Sequence, residues 1–588
     1  MAFESFSQSA FFAASDFWMV RWLTPIWFLG VGIVFGGLIL AALILLFTAL
    51  SKVKLLDNLR KDGSAQIVGL VLTLVLGGVL ALMTRGPFGS TFTDDQGAFE
   101  TNEWAMISIA MTMMIGVLVF SFLYCSSSRF LGELRSLLFE GVGFYMLCTL
   151  GALAGVGLAS SFLVDEPIAA LKGIPQLFLS QDQKLEVTIP PMRGDGSADD
   201  STKLDFRYDP ATLSQVEIET NRRVVLADAP SIAGLKSKAT TIEPDQRLTW
   251  TNKMNAKDCP IPLELGAELY CQNQEVDAAV LKVRLLSTPP VRESITFVFV
   301  AGFVTVFGLL FMLMQAVSPK AAAIALSAAK SELAQPLPTI LIVIVALAIL
   351  LFVFLPFHTF GEDIKLLKDC GVTLVLIAAT FQAVWSASTS VNEEIEGRTA
   401  LTLLSKPIHR RSFIIGKIMG IVWIIMFMFL VLGSLELLAV AYKPIYDARE
   451  TSNDTPLWQQ CHMEMWQTIP GLALAFFQAT ILGAISVALG TRFSLIANFT
   501  ICFSIYILGH LTPTIVESAA GGLPLVEFFS QLISAVVPNL SHFSMEAAID
   551  AEVGIPWSVI ASVLVYTTIY GLAATLIGLL LFEDRDLA

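Results

Sequence analysis

"EEIEGRTALTLLSKPIHRRSFIIGK", Glu393 to Lys417, is the most charged short stretch in the hydrophobic half of the chain. The runs on either side, 371 to 391 and 418 to 435, contain no Lys, Arg, Asp or Glu. A helix needs about 20 apolar residues to cross a bilayer, and a central charge costs roughly 2.5 to 3.5 kcal/mol on insertion scales. The flanking runs therefore read as two membrane spans, and the quoted stretch as the connection between them at one membrane surface.

The rest of the chain has the same character. Its 588 residues are 55% hydrophobic and only 15% charged, with a mean hydropathy of +0.71. That is far more apolar than a soluble domain. A formal charge of −14 excludes a binder of phosphate backbones, which needs a basic face, so no nucleic-acid partner is expected. Eleven apolar runs are long enough to span: 24 to 50, 65 to 84, 105 to 128, 141 to 164, 294 to 318, 336 to 358, 371 to 391, 413 to 442, 467 to 490, 494 to 516 and 557 to 582. The first twenty residues carry no lysine or arginine, which does not read as a secretory signal. Phe11, Phe12, Phe17, Trp18 and Trp22 among polar residues read as a short interfacial helix before the first span.

Lysine and arginine in short loops are retained on the cytoplasmic side. Loops 51 to 64, 129 to 140 and 319 to 335, the quoted stretch, Arg492 and Arg585 together hold fifteen, against six in the opposite set. The N-terminus is therefore expected outside and the C-terminus inside. The expected location is the inner (cytoplasmic) membrane, with the quoted stretch facing the cytoplasm. Trp104, Trp458, Trp466 and Trp557 would then form an outer aromatic belt.

Residues 165 to 293 have the composition of a soluble domain, and by this orientation they lie outside. "KLEVTI" (Leu185, Val187, Ile189), "KLDFRY" (Leu204, Phe206, Tyr208) and "VLKVRLL" (Leu281, Val283, Leu285) alternate with the period of two of half-buried strands, which predicts a small β-sandwich-like module. The expected fold is thus an all-α polytopic membrane protein of about eleven transmembrane helices. It divides into a membrane region 1–164, an inserted extracytoplasmic β-rich domain 165–293, a fifth helix 294–319 and a six-helix region 320–588. In an oxidising compartment Cys259 and Cys271 are expected to pair, as are Cys370 and Cys461.

No P-loop, nucleophile elbow or zinc-protease helix occurs; at Gly416-Lys417 the first glycine position of a P-loop is Arg411 and the hydroxyl position is Ile418. The chain is not expected to be an enzyme. In the quoted stretch Val391 ends a span, Glu393, Glu394 and Glu396 form an acidic turn, and Gly397 allows a bend. Thr399 is placed to cap a short helix 400–406 carrying Leu401, Leu403 and Leu404, which Pro407 stops. Ser412 is placed to cap the next span, with Arg410 and Arg411 at headgroup level. Snorkelling alone accounts for the arginines, but three acids at a surface that anionic lipid repels call for another partner.

These residues resemble the first cytoplasmic loop of the type-2 permeases of ATP-binding-cassette transporters. Its pattern is an acid, Gly and Thr, then Leu-Leu-Ser-x-Pro, then Arg and Gly-Lys. Here it is matched by Glu396, Gly397, Thr399, Leu403-Leu404-Ser405, Pro407, Arg411 and Gly416-Lys417. The resemblance covers about residues 320 to 588, including six spans, an elbow helix "ALSAAKSELAQPLP" with Lys330 and Glu332, and a long connection containing "VVPNLSHF". The variant looks most like permeases of copper-enzyme maturation and gliding-type export. The resemblance implies a dimer with a second permease copy or homologue, served by cytoplasmic ATPase subunits that bind ATP and Mg, while this chain binds no cofactor. It also implies a coupling role for Glu393, Glu394, Glu396, Gly397, Arg398, Thr399, Leu403, Leu404, Pro407, Arg410 and Arg411. The outer domain would bind substrate or a periplasmic partner. The first five spans and that domain depart from the six-span pattern.

Two further features invite roles. "CHMEMW" offers Cys461, His462, Met463 and Met465, soft ligands suited to Cu(I), although interface packing explains them as well and no metal is expected. Glu436 lies in a span, which makes it a candidate for a substrate path. It stands about eight residues, or roughly 12 Å, outward of the middle of its run, within expected reach of interfacial water. His510 reads as a packed histidine.

Overall fold

The computed structural model describes residues 18–53, 58–60, 64–85, 101–164, 167–179, 182–191, 201–204, 213–227, 240–244, 247–251, 261, 269–287, 291–355, 362–396, 409–451, 455–519, 524–546, 549 and 554–583. They fall into two compact units, one of 1–165 with 299–588 and one of 166–298.

Eleven helices of the described residues are long and apolar enough to cross a membrane, and each coincides with one of the apolar runs. They are α1 (Trp18–Leu50), α2 (Ser64–Arg85), α3 (Thr101–Tyr124), α5 (Val142–Ser160), α7 (Ile295–Val317), α9 (Pro336–Phe354), α10 (Asp363–Glu396), α11 (Arg410–Glu450), α12 (Trp458–Gly490), α13 (Leu495–Ala519) and α15 (Trp557–Glu583). Shorter helices among the described residues include α4 (Ser128–Phe139), α6 (Pro167–Leu179), α8 (Pro319–Leu333) and α14 (Pro524–Val536). The chain is a multi-pass α-helical membrane protein. Of the interfacial helix expected on Phe11, Phe12, Phe17, Trp18 and Trp22, the first three residues lie outside the described residues, while Trp18 and Trp22 belong to α1 itself, which starts at Trp18 and runs unbroken into the span.

Three helices form the centre. Within their apolar windows α10, α11 and α12 are each 61% buried, against 11% for α1 and 22% for α9 and α13, so they are the inner helices of the bundle and the others lie further out. Helix α8 lies against α11. Small residues let it approach closely: a Cβ on Gly416 would stand 2.7 Å from the Ala321 carbonyl, and one on Gly420 2.9 Å from that of Ala325. Without a hydrophobic driving force between helices in lipid, such close backbone packing is the main source of association. The first helices join the bundle in the same way. Gly30 of α1 and Gly157 of α5 meet so tightly that a Cβ on either would be 2.5 Å from the other's Cα, and Gly36 sits over Val304 of α7. Trp27 Nε1 donates to Ser161 Oγ at 2.8 Å, and Arg21 donates to the carbonyls of Thr455 and Pro456 ahead of α12.

The second unit contains two four-stranded antiparallel sheets, ordered β1-β8-β3-β6 and β2-β7-β4-β5. The strands are β1 (Asp182–Ile189), β2 (Ser201–Leu204), β3 (Leu213–Thr220), β4 (Val224–Ala227), β5 (Thr240–Ile242), β6 (Leu248–Thr251), β7 (Leu269–Asn273) and β8 (Ala279–Ser287). One core fills both, with Ile189, Val216, Val224, Cys271 and Leu281 fully buried. The alternation of "KLEVTI" and "VLKVRLL" is realised as β1 paired with β8, Leu185 opposite Val283 and Val187 opposite Leu281. "KLDFRY" contributes only Lys203 and Leu204 to β2, its remainder lying outside the described residues. Helix α6 was not anticipated; Ser294 Oγ donates to the Ala170 carbonyl within it at 2.8 Å.

The cysteines depart from expectation. Cys370 and Cys461 both carry free thiols, and Cys461 is fully buried in α12, where packing rather than a bridge occupies it. Cys271 is also free, while Cys259 lies outside the described residues. Burial pushes the Cys271 thiol up to about 12.

Candidate functional site

The quoted stretch rises from the C-terminal end of α10 and returns at the N-terminal end of α11. Residues 397–408 lie outside the described residues, and with them Gly397, Arg398, Thr399, Leu403, Leu404, Pro407 and the short helix. The acidic turn is corrected. Glu393, Glu394 and Glu396 continue α10, which ends only at Glu396, because no breaker precedes Gly397 and glutamate is a good helix former. The cap is corrected as well: α11 begins at Arg410 with His409 at the N-cap, two residues before Ser412.

The root of this connection is a set of buried polar bonds that joins five helices. Ser386 Oγ of α10 donates to Glu332 Oε2 of α8 at 2.7 Å, and Gln382 Nε2 donates to Ser386 Oγ at 3.0 Å. One turn on, Lys417 Nζ of α11 donates to both the carbonyl and the hydroxyl of Ser390, each at 3.2 Å. Positions four apart share a helix face, so Ser386 and Ser390 form one gripped edge. Ser388 belongs to another edge, where Asn498 Nδ2 of α13 donates to its Oγ at 2.8 Å. The same amide reaches Ser486 of α12, its carbonyl at 3.0 Å and its hydroxyl at 3.1 Å.

Gln382, Ser386, Ser388, Ser486 and Asn498 are fully buried, and Glu332 and Lys417 are 2% exposed. Burying this many polar groups inside the bundle is offset by the bonds they make to one another, although Gln382 Oε1 has no hydrogen-bond partner among the described residues. Beside them, Arg410 donates to the Glu583 carbonyl at 2.7 Å and Arg492 to the Leu581 carbonyl at 2.9 Å. Two cations thus cap the C-terminal end of α15, where the helix dipole is negative. Arg411 is exposed. Sequence reading singled out Lys417 and Glu332 but missed Ser386, Ser388, Ser390, Ser486 and Asn498. The signal was the run "SASTS" (Ser386 to Ser390), three serines alternating inside an otherwise apolar span.

At the opposite end of the same helices Glu436 is fully buried, not wet as its position implied. α11 runs on to Glu450, so Glu436 lies well inside the helix and against α10. A Cβ on Gly371 would fall 2.1 to 2.2 Å from its carboxyl atoms, and neither oxygen has a hydrogen-bond partner among the described residues. Close by in sequence, Lys368 of α10 pairs with Glu464 of α12 at 2.5 Å and donates to Gln467 at 3.3 Å.

The copper candidates do not converge: His462 is 5% and Met465 0% exposed, whereas Met463 is 52% exposed, because adjacent helix positions point about 100° apart. His462 is wedged between Phe28 and Trp466 instead. No group of three His, Cys, Asp or Glu among the described residues is placed to hold a metal. His510 accepts or donates a hydrogen bond with Gln478 at 3.0 Å and lies edge-on to Tyr506.

Compared with family models, with characterised proteins and with solved structures, the chain matches none of them.

Proposed function

We propose that this chain is the membrane permease subunit of an ATP-binding-cassette exporter, in which a separate ATPase hydrolyses ATP and the permease moves a substrate outward. The observation that carries the reading is the root of the 393–417 connection. Its two strands are tied together by Lys417 and Ser390, and to the elbow helix by Ser386 and Glu332. A push on a loop held this way reaches five helices at once, since packed, hydrogen-bonded elements shift as units rather than bending continuously. The acids at the end of α10, with Arg398, Thr399 and the 400–406 segment, meet the ATPase in this reading. The β unit faces the far side and meets substrate or an envelope partner.

The test is to express Glu396→Lys, and the triple reversal of Glu393, Glu394 and Glu396, beside the ATPase subunit that copurifies with the parent chain. Normal membrane insertion with lost copurification or lost substrate-stimulated hydrolysis is the expected result. Unchanged values for both variants overturn coupling at this loop.

One observation favours a second reading. Residues 166–298 form a compact unit entered from α5 and left into α7, so motion of the bundle could be delivered to it as work on an envelope partner with no substrate crossing. Substrate flux in proteoliposomes with and without the ATPase separates the two.

A further inference from the structure

Helix α14 (Pro524–Val536) lies in the connection between the last two spans and packs against α13. Its amphipathic pattern is reversed relative to a helix lying on a protein in water. Ser530 is its buried residue, with Oγ donating to the Glu527 carbonyl at 2.8 Å. Stepping about 100° per residue from Ser530, the half centred on it carries Val526, Glu527, Ile533 and Ser534, of which Val526, Glu527 and Ser534 are exposed. Among the residues turned away, Leu525, Phe528, Phe529, Leu532 and Val536 are apolar, with exposures of 69, 61, 52, 46 and 69%, and Gln531 stands on the flank opposite Phe529. These five are spaced i, i+3, i+4, i+7 and i+11, one continuous stripe.

Three further observations say what covers the stripe. Phe503, Ile507 and Leu511 form an exposed apolar edge of α13, 63, 40 and 47% exposed, so the helix that carries α14 already presents a lipid-facing surface on its way to it. Only residues 520–523 separate α13 from α14, which holds α14 at the membrane face where α13 ends. At 13 residues the helix is about 20 Å long, too short to cross a hydrocarbon core of about 30 Å.

We propose that α14 is an interfacial helix whose apolar stripe is sunk into the phospholipid of that membrane face. Residues 517–556 contain no lysine or arginine, so attraction to anionic headgroups contributes nothing and zwitterionic lipid suffices. In this placement α14 couples α13 to the lipid surface, and movement of α13 drags the helix along the interface.

The experiment uses the full chain in phosphatidylcholine nanodiscs at one copy per disc. The native cysteines are replaced, and single cysteines carrying an environment-sensitive fluorophore are introduced as Phe528→Cys, Leu532→Cys, Gln531→Cys and Ser534→Cys. Nitroxide-bearing lipid is expected to quench the probes at 528 and 532 several-fold more than those at 531 and 534, and aqueous iodide the reverse, with no change when anionic lipid is added. Equal iodide quenching at all four positions overturns the proposal. So does protection at 528 and 532 that requires two copies per disc, which would assign the stripe to a second copy of the chain. A photo-crosslinking phenylalanine analogue at Phe528, in the chain with its native cysteines, gives a readout independent of cysteine replacement. Lipid adducts are expected there, and protein adducts in their place overturn the proposal.

Discussion

Lys417 of α11 reaches back 27 positions along the chain to Ser390 of α10 and donates to both its carbonyl and its hydroxyl at 3.2 Å. The bond closes the base of the most charged connection in the hydrophobic half of the chain, and its strength can be measured. Lys417→Met keeps the aliphatic length and removes the donor. Interhelical hydrogen bonds in membranes are worth about 0.6 kcal/mol on average and up to about 1.7, so a loss of that order is expected in a reversible unfolding assay. Ser390→Ala should cost less, because the backbone carbonyl still accepts. Additive effects of the two substitutions would show that the pair is not coupled.

Gly371 and Glu436 make a second checkable pair. Gly371→Ala places a methyl group within 2.2 Å of the carboxyl, and overpacking of this kind costs about 1 to 3 kcal/mol. Glu436→Ala in the same chain should restore most of the loss. A Gly371→Ala protein as stable as the parent would mean that the Glu436 carboxyl swings clear of α10 at little cost.

The N-terminal helices are joined to the bundle through Gly30 and Gly157. Either glycine changed to leucine puts side-chain atoms where the partner backbone stands. Separation of α1 from α5 is expected, seen as a loss of disulfide cross-linking between cysteines introduced on the two helices. Gly37 and Gly155 have open space at the Cβ position, so Gly37→Leu and Gly155→Leu serve as controls that leave the cross-link intact.

Cys271 supplies a test of the β unit. Fully buried and with its thiol raised to about 12, it holds almost no thiolate at neutral pH, and the thiolate is the reactive form. A water-soluble maleimide is therefore expected to leave Cys271 unmodified in the folded chain and to label it fully after denaturation. Rapid labelling of the folded protein at pH 7 would contradict the core packing of β7.

The eleven spans were legible because each is an apolar run bounded by charges, a pattern that depends on nothing distant. The strands β1 and β8 were legible for the same reason. Helix ends were less so: α10 was expected to stop at Val391 and runs to Glu396, because helix propensity carried it past the membrane boundary that hydropathy marks. Helix α14 was missed inside a long connection, its apolar residues too few for a span.

By itself the sequence determined that the chain lives in a membrane, how many times it can cross, and where a β-rich insertion interrupts the helices. The solvent preference of each segment decides these matters locally. Only the tertiary structure decided which polar residues inside the spans belong together. Ser388 meets Asn498 across 110 positions, and Ser386 meets Glu332 across 54. No local pattern encodes such partners; a hydroxyl or amide buried among helices gains by finding a bond, and the packing of the helices alone determines which one is within reach.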